Sequence, residues 1–266
     1  MELGLKNKVA LVTGASKGIG RAIAIALARE GCCVVVSARN REDLKEVVEE
    51  IEKTGEKAIA VAADLTKSDE IEKLVDETVR QLGTIHILVN NAGTVGSFSP
   101  FAEISPEEWQ QVFNLNLFAN AAVTHAVLPQ MQQQQWGRII NIASESGIQP
   151  DPDMSHYNCS KAAIINLTKS LSKAYADDGI LVNTVSPAVI RTPMLEEVLQ
   201  KQADSQNISL EEAETDFLQE NRPNLVLKRA GKPEEVASVV VFLASTAASF
   251  ITGSNYRVDG GSVASI

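Results

Sequence analysis

A tyrosine and a lysine lie four residues apart in the segment SHYNCSK, residues 155–161. On a helix, residues at this spacing are neighbours on one face. Free tyrosine and lysine side chains ionise near pH ~10 and ~10.4, so neither exchanges protons readily at neutral pH. An ammonium group beside the phenol would stabilise the phenolate and make Tyr157 a proton donor and acceptor near pH 7. On Tyr157 and Lys161 alone, however, an accidental pair on a helix surface is the simpler interpretation.

A glycine-rich turn follows the first apolar run of the chain. The segment VALVTGASKGIGRAIA predicts a strand, a turn with Gly14, Gly18 and Gly20, and then a helix. Glycines let the main chain approach a pyrophosphate, which then lies at the positive N-terminus of the helix. The spacing is GxxxGxG rather than GxGxxG, and a glycine pattern alone is weak evidence. Its place after the first strand of an alternating array strengthens the prediction of a dinucleotide site.

The composition is that of a globular protein and argues against several classes of partner. Of the 266 residues, 44% are hydrophobic, and the formal net charge is −10 without a block of basic residues. We therefore expect neither nucleic acid nor an anionic membrane as a partner. No apolar run approaches the roughly 18 residues of a membrane span, and the one near the N-terminus is too short for a signal peptide. The three cysteines show no CxxC spacing, so we expect no metal, no disulfide framework and a cytoplasmic location.

Short β-branched runs alternate with longer segments of helical periodicity. The short runs are apolar on both faces, as in a parallel sheet that helices cover on each side. We therefore predict one α/β domain over residues 1–266, a doubly wound Rossmann-type fold with a parallel sheet of about seven strands. The predicted strands are 9–14, 33–38, 58–64, 87–93, 138–144, 180–187 and 256–260, and the predicted helices are 18–30, 41–54, 68–82, 105–131, 155–177 and 233–245.

The stretch from about residue 193 to 228 interrupts this alternation. It contains no convincing strand and has the pattern of one or two amphipathic helices. Because a long insertion between sheet elements is often a lid or a binding loop, we predict a helical substrate lid there. Ser68 and Ser105 each precede acidic residues and are predicted helix N-caps.

Three motifs occur in the order TGASKGIG, NNAG (residues 90–93) and YNCSK (residues 157–161). Together they resemble the short-chain dehydrogenase/reductase family, and the resemblance runs from Val9 to Gly261. It implies an oxidoreductase that transfers a hydride between a nicotinamide cofactor and a carbonyl compound or secondary alcohol.

The resemblance also implies four catalytic residues. Tyr157 and Lys161 match the family's tyrosine and lysine, Ser144 lies thirteen residues before the tyrosine, and Asn116 lies seven after Trp109. Tyr157 would exchange the proton of the carbonyl oxygen, with its pKa lowered by Lys161. Ser144 would hold that oxygen, Lys161 would also bind the ribose hydroxyls, and Asn116 would anchor a water that passes protons to the lysine.

The segment VVVSARNRED, at the end of the second strand, indicates which nicotinamide cofactor is used. An acid at the strand end usually accepts from the ribose 2′-hydroxyl of NAD, and this chain has none there. Arg39 at that point and Lys17 in the glycine turn suit a 2′-phosphate instead. We therefore predict NADP(H), with NAD(H) less favoured. The alternative is that both residues are solvated surface cations.

The resemblance places the rest of the cofactor along the carboxyl ends of the strands. Asp64 would accept from the adenine amine, although a helix N-cap is an alternative role. Where the family commonly has Pro-Gly, this chain has Pro187-Ala188, for which we expect a small backbone adjustment. Ile190 and Thr192 match the positions that would hold the nicotinamide carboxamide. The predicted cofactor-binding residues are Gly14, Ser16, Lys17, Gly18, Ile19, Gly20, Arg39, Asp64, Leu65, Asn91, Ala92, Gly93, Tyr157, Lys161, Pro187, Ile190 and Thr192.

The sequence does not choose a substrate, because this fold serves many reactions. A pocket formed by residues 94–98, residues 145–154 and the lid would mix apolar and acidic side chains. The lid is strongly acidic, and Lys173 is the one cation expected near the entrance. We therefore place a free small carbonyl compound or alcohol first and a 3-oxoacyl-[acyl-carrier-protein] reductase second. A non-catalytic NADP-binding sensor is a remote alternative, since Tyr157 and Lys161 are both present. The side chains expected in the pocket are Phe98, Glu145, Asp151, Asp153, Met154, Met194 and Phe217.

The two long helices predicted at 105–131 and 155–177 carry more apolar residues than one sheet face needs. In the family such helices commonly pair across a two-fold axis, so the resemblance implies a homotetramer or a homodimer. The alternative is that this surface packs on the protein's own sheet. The apolar residues concerned are Ala119, Ala122, Val123, Ala126, Ile164, Leu167 and Leu171.

Overall fold

The computed structural model describes residues 2–265, and its strands form one sheet within that range. The strands are β1 (Val9–Thr13), β2 (Cys33–Ala38), β3 (Ala58–Ala62), β4 (Ile87–Asn90), β5 (Gly137–Ile142), β6 (Ile180–Pro187) and β7 (Asn255–Val258). All neighbouring strands run parallel, in the order β3-β2-β1-β4-β5-β6-β7. The predicted doubly wound parallel sheet is confirmed.

Helices cover both faces of this sheet. They are α1 (Gly18–Arg29), α2 (Arg41–Glu52), α3 (Ser68–Leu82), α4 (Pro106–Phe113), α5 (Ala119–Gln133), α6 (Ser155–Ala174), α7 (Pro193–Gln206), α8 (Leu210–Asn221) and α9 (Pro233–Ala244). Because successive strand residues point to opposite faces, β1 contributes to two cores. Val12 packs in the cluster that contains Ile23 of α1 and Val240 of α9, and Leu11 packs in the cluster that contains Val127 of α5. Burial of each such side chain stabilises the fold by roughly 1.5–3 kcal/mol.

The sheet order reverses direction at β1, which pairs with β2 on one side and with β4 on the other. Strands β2 and β3 lie on one side of β1, and the connection after β3 leads to β4 on the other side of β1. In open parallel sheets, the crevice at the carboxyl ends of two such strands is where ligands bind. The residues that follow β1 and β4, Gly14 and Asn91, therefore lie at this switch point.

The helix predicted over residues 105–131 is interrupted in the structure. Helix α4 ends at Phe113, a turn of π-helix covers residues 114–118, and α5 continues from Ala119. A π-helical turn inserts an extra residue into the helix and often occurs at functional sites. The π-helical turn contains Asn116, and this residue is only 2% exposed.

The two predicted N-caps have different outcomes. The Ser105 hydroxyl accepts from the backbone N–H of Glu108 at 3.1 Å and caps α4, as predicted. The prediction for Ser68 is wrong, because α3 begins one residue earlier than a Ser68 cap requires and Lys67 occupies the N-cap position without a side-chain cap.

Residues 193–228 contain α7 and α8, in agreement with the predicted amphipathic helices. Ser209 and Glu212 form a reciprocal capping box that starts α8. The apolar face of α7, with Leu195 and Leu199, packs with Ala230 in a small core of its own. This helical segment thus has few apolar residues in common with the two sheet cores.

Three further features bear on the location and chemistry of the protein. Within residues 2–265, no helix combines the length and the apolar character that a bilayer crossing requires. In the same range, no three His, Cys, Asp or Glu side chains cluster closely enough to hold a metal ion. Cys32 is buried, Cys33 is half-buried and Cys159 is exposed, and all three are free thiols.

Candidate active site

A cleft opens at the carboxyl edge of the sheet, beside the switch point. It brings together three of the four predicted catalytic side chains, Ser144 after β5 and Tyr157 and Lys161 from the start of α6. Its lining also includes residues from the loops after β1, β4 and β6 and from the start of α7. The lining residues are Ile19, Asn91, Gly93, Thr94, Val95, Ile142, Ala143, Ser144, Tyr157, Lys161, Pro187, Ala188 and Met194.

The side chain of Lys161 is buried below the cleft. Its Nζ donates a hydrogen bond to the carbonyl oxygen of Ile142 at 2.9 Å and lies 5.7 Å from the centroid of the Tyr157 ring. Burial lowers the pKa of Lys161 to about 8, because the low-polarity surroundings disfavour the charged ammonium. An ammonium group has three donors, so two remain for other acceptors at the cleft.

The phenol of Tyr157 is subject to opposing influences. Burial is the largest and raises its pKa, whereas the side chain of Ser144 lowers it; Glu145 raises it further and Arg222 lowers it. The sequence-based expectation that Lys161 lowers this pKa is not reproduced. The reason is geometric, because Nζ is directed at the Ile142 carbonyl and its own charge is disfavoured by burial.

Ser144 lies in extended backbone conformation directly after β5. Its hydroxyl oxygen accepts from the backbone N–H of Ser146 at 3.2 Å, which closes the short turn over residues 145–147. Because this bond uses only an acceptor position of the oxygen, the hydroxyl hydrogen remains available for donation to a ligand. Ser144 is thus a suitable donor to a carbonyl oxygen held next to Tyr157.

Asn116, the fourth predicted catalytic residue, joins the loop after β4 to α6. Its Oδ1 accepts from the N–H of Thr94 at 2.8 Å, and its Nδ2 donates to the carbonyl of Thr94 and to the hydroxyl of Ser160, both at 2.9 Å. A Cβ atom on Gly93 would lie 3.1 Å from Asn116 Oδ1 and 3.5 Å from Lys161 Nζ. Glycine at position 93 therefore lets the loop pass close to both side chains.

The glycine turn has the geometry of an anion cradle. Gly14 and Gly18 have φ values of +62° and +57°, which side chains rarely adopt. A Cβ on Gly20 would lie 2.3 Å from the carbonyl oxygen of Gly14, so only glycine fits. The first turn of α1 holds no acidic residue, and the N-cap Lys17 makes no side-chain cap bond, so the helix N-terminus fits a cofactor phosphate. Ser16 is half-buried in the same turn.

The NNAG motif holds this turn in place. The Nδ2 of Asn91 donates to the carbonyl oxygens of Thr13 and Gly14, both at 3.0 Å. The backbone N–H groups of Asn91 and Ala92 donate in turn to the hydroxyl of Thr13, at 3.0 and 3.1 Å. Asn91 and Ala92 therefore shape the cofactor site through these bonds to the β1 end.

The residues predicted for the adenosine end lie at the ends of β2 and β3. Arg39 and Lys17 are exposed, and Leu65 is buried in the core. The carboxylate of Asp64 accepts from the hydroxyl and the N–H of Thr66, at 2.7 and 3.1 Å, and these bonds lower its pKa. The alternative role of Asp64 as an N-cap is excluded, because Lys67 occupies the N-cap position of α3.

The segment after β6 supplies the remaining predicted residues. Pro187 and Ala188 line the cleft, and Ala188 lacks a positive φ, so alanine needs no strained backbone where the family commonly has glycine. The methyl group of Thr192 would be 3.2 Å from a Cβ on Gly18, so this residue lies against the glycine turn. Ile190 pairs with another segment, is buried, and does not line the cleft.

The expected substrate pocket needs correction. Met194 lines the cleft as predicted, but residues 145–154 do not contribute to its lining, and Phe98 is 68% exposed. Glu145 and Asp151 bind the guanidinium of Arg222 instead. Sequence reasoning missed Arg222, whose only signal was a basic residue at the end of a strongly acidic segment.

Burial of Lys161 predicts a pH dependence of stability. Its pKa is about 8 in the fold and about 10.4 in an unfolded chain, so the unfolded chain binds more protons between these values. The contribution of Lys161 to stability therefore rises with pH in this window. We expect the free energy of unfolding of the wild type, relative to Lys161→Met, to increase by on the order of 2 kcal/mol between pH 7 and 10. Urea unfolding at a series of pH values measures it.

The matched control is Lys173→Met, an exposed lysine in the last turn of the same helix. Its difference from the wild type should stay constant over the same pH range, because solvent surrounds this side chain in both states. A constant difference for Lys161→Met as well would contradict the assignment.

Comparison with known proteins identifies the family. A family model described as short chain dehydrogenase matches residues 8–203. A cyclohexanol dehydrogenase from an Acinetobacter species is 39% identical, over 96% of this chain and 94% of the relative. A 3-oxoacyl-[acyl-carrier-protein] reductase from Synechocystis is 41% identical, over 97% and 98%. The crystal structure of L-sorbose reductase from Gluconobacter frateurii, complexed with NADPH and L-sorbose, superposes with a TM-score of 0.95 at 34% identity and covers 100% of both chains. On this fold, these motifs and these matches, the chain belongs to the short-chain dehydrogenase/reductase family of oxidoreductases.

Proposed function

We propose that the protein is a cytoplasmic, NADP(H)-dependent oxidoreductase that interconverts a small carbonyl compound and its secondary alcohol. The observation that carries the proposal is the convergence of Ser144, Tyr157 and Lys161 on one cleft beside the glycine turn. A nicotinamide bound along that edge would supply or accept the hydride. The free thiols of all three cysteines suit the reducing cytoplasm.

The side chains divide the proton chemistry between them. In reduction, the Tyr157 hydroxyl donates its proton to the carbonyl oxygen, which Ser144 holds in place by a hydrogen bond; in oxidation the proton returns. Lys161, with one donor occupied by Ile142, has two donors for ribose hydroxyls. Asn116 connects the loop after β4 to α6, and a water that relays protons to Lys161 would lie near it.

The preference for NADP(H) is supported by charge at the adenosine end. Arg39 and Lys17 are exposed there, so their cations are available to a 2′-phosphate. The L-sorbose reductase that superposes over the whole chain was crystallised with NADPH. The bonds from Thr66 are the main cause of the lowered pKa of Asp64, and the guanidinium of Arg39 contributes to it last, which supports placing both residues at the adenosine end.

A free small substrate is supported by the cleft and by the helical segment over residues 193–228. The lining of the cleft places the apolar side chains of Val95, Ala143 and Met194 beside the proposed catalytic groups. The segment acts as a lid in this proposal, since Met194 at its start reaches the cleft. It holds eight acidic and three basic residues, which disfavours an acidic carrier protein.

Reduction of a 3-oxoacyl group on a carrier protein is the second candidate. Relatives with that name from Thermotoga maritima, Aquifex aeolicus and Synechocystis are 36–41% identical to this chain. The one cation predicted for a carrier-binding face, Lys173, lies in the last turn of α6. At 1.5 Å of rise per residue, it is about 24 Å along the helix from Tyr157, away from the cleft. A non-catalytic sensor is the least supported reading, because all four catalytic positions are occupied.

The proposed activity is tested with purified protein, NADPH and a panel of free ketones, beside an acetoacetyl carrier-protein thioester. We expect absorbance of the reduced nicotinamide to fall with at least one free ketone. Tyr157→Phe should bind NADPH normally and lose ~10²–10⁴-fold in turnover, because it removes only the transferable proton. Turnover confined to the thioester would favour the second candidate, and full activity of Tyr157→Phe would remove the assignment of Tyr157.

Arg39→Asp should shift the cofactor preference towards NAD(H). The change removes a phosphate partner and supplies an acceptor for the ribose hydroxyl. Charged hydrogen bonds contribute about 1.5–3 kcal/mol each, so the ratio of kcat/KM values should change by roughly one to two orders of magnitude. Lys45→Asp alters the net charge equally on an exposed position of α2 and should leave the ratio unchanged. A wild type that prefers NADH would refute the proposal directly.

We further propose a homodimer or homotetramer formed through α4, α5 and α6. Three residues predicted for the interface do not lie on the surface, because Ala119, Val123 and Ile164 are buried in the protein's own core. The π-helical turn between α4 and α5 nevertheless exposes Phe118 to 53%, next to the stacked Trp109 and Phe113 rings. Other apolar residues on this surface are only partly covered, and they are Ala122, Ala126, Leu167 and Leu171.

Light scattering at working concentration tests this assembly. The expected mass is two or four times the 28.6 kDa of one chain. Phe118→Asp should reduce the mass to that of a single chain, because a carboxylate is costly to bury in an apolar contact. A fully active wild type of 28.6 kDa would refute it.

A further inference from the structure

A single guanidinium at the end of α8 binds two carboxylates from the active-site side of the sheet. Nε of Arg222 donates to Oε1 of Glu145, and its two terminal nitrogens donate to the two oxygens of Asp151, both at 2.9 Å. The side chain of Arg222 is 14% exposed, that of Glu145 is 3% exposed and that of Asp151 is 25% exposed. The planar guanidinium suits this arrangement, because it directs two parallel N–H groups at the carboxylate of Asp151 and a third N–H group at that of Glu145.

The two carboxylates belong to the segments that carry the proton-donating pair. Glu145 directly follows Ser144. The side chain of Asp151 accepts a hydrogen bond from the hydroxyl of Ser146 at 3.1 Å. Its main-chain carbonyl accepts a hydrogen bond from Nδ2 of Asn158 at 2.6 Å, and Asn158 directly follows Tyr157. Arg222 therefore ties the end of the helical segment to the turn after β5 and, through Asp151, to the first turn of α6.

Removal of the guanidinium would leave two carboxylates close together without a counter-ion. A partly buried charge without its partner is costly, so the turn over residues 145–151 would rearrange. The titratable and charged groups that face the Tyr157 phenol are Glu145, Asp151, Arg222 and Lys161. The two carboxylates favour the neutral phenol and Arg222 favours the phenolate, whereas Nζ of Lys161 is directed at the carbonyl oxygen of Ile142. The guanidinium thus affects both the geometry of the pair and its protonation.

We propose that Arg222 is a positioning residue that aligns Ser144 with Tyr157 when the helical segment is docked, so that closure over the cleft and assembly of the proton-donating pair occur together. The role is indirect, because Arg222 contacts the neighbours of these residues and does not line the cleft. The inference rests on the proposed oxidoreductase function. It makes the end of α8 a determinant of turnover rather than of substrate binding alone.

Arg222→Met tests the proposal, with Arg229→Met as its matched control. Arg229 is a second arginine of the same region, but it pairs with Glu235 of α9, outside the active site. We expect Arg222→Met to lose on the order of 10- to 100-fold in kcat for the best substrate of the wild type, with NADPH binding retained. The pH at which alcohol oxidation reaches half its maximum should move upwards, because a cation that favours the phenolate is removed. Arg229→Met should show neither change.

Arg222→Lys separates charge from geometry and serves if the methionine variant does not fold. A lysine restores the positive charge, but it lacks the planar guanidinium that binds both carboxylates at once. It should therefore keep the pH midpoint near that of the wild type and still turn over several-fold more slowly. Wild-type kcat in every Arg222 variant that folds would overturn the proposal.

Hydrogen exchange provides a readout that does not depend on catalysis. The backbone amides of residues 144–151 should exchange faster in Arg222→Met and Arg222→Lys than in the wild type and in Arg229→Met. If the wild type reduces no carbonyl compound but these amides exchange faster in the two Arg222 variants, the proposed function is wrong, whereas the stabilisation of this turn by Arg222 is confirmed. If the wild type is active and exchange is the same in all four proteins, the tie itself is refuted.

Discussion

The close approach of three main-chain segments at the switch point is the constraint on which the site depends. Asn91 after β4 donates to two carbonyl oxygens at the end of β1, and Gly20 packs so near Gly14 that a side chain is excluded. This contact brings the N-terminus of α1 to the edge of the cleft. The same loop then passes Asn116 and Lys161 at Gly93, where a Cβ atom would lie only 3.1 Å from Asn116 Oδ1. One packed junction of backbone thus positions the glycine turn relative to Asn116 and Lys161.

Burial controls the protonation of the catalytic pair in opposite ways. It raises the pKa of Tyr157 and lowers that of Lys161 to about 8, because in both cases the charged form loses solvation. In the proposed reaction the neutral phenol is the form that donates a proton, so the environment of the protein itself favours the acid that reduction would require. A cofactor cation near the phenol would act in the opposite direction, which suits a reaction that runs both ways.

Three acidic side chains near the site are bound by other side chains of the protein. Glu145 and Asp151 are held by Arg222, and the His156 ring beside Tyr157 lies 3.3 Å from Glu108 in a buried position. Among residues 2–265, no acidic side chain lines the cleft around the phenol, which polar and apolar residues share in similar measure. Glu145 and Asp151 therefore join segments of the chain and do not line the cleft.

The sequence by itself determined the parallel sheet, the glycine turn and the pairing of Tyr157 with Lys161. These features depend on local patterns, because apolar runs, glycines and a four-residue spacing act within one or two elements. Tertiary structure decided the π-helical turn that carries Asn116, the internal packing of Val123 and the ion pairs of Arg222. The arginine meets its partners across 71 and 77 residues of chain. No periodicity encodes such a contact, because its geometry exists only after the helical segment has packed against the turn that follows β5.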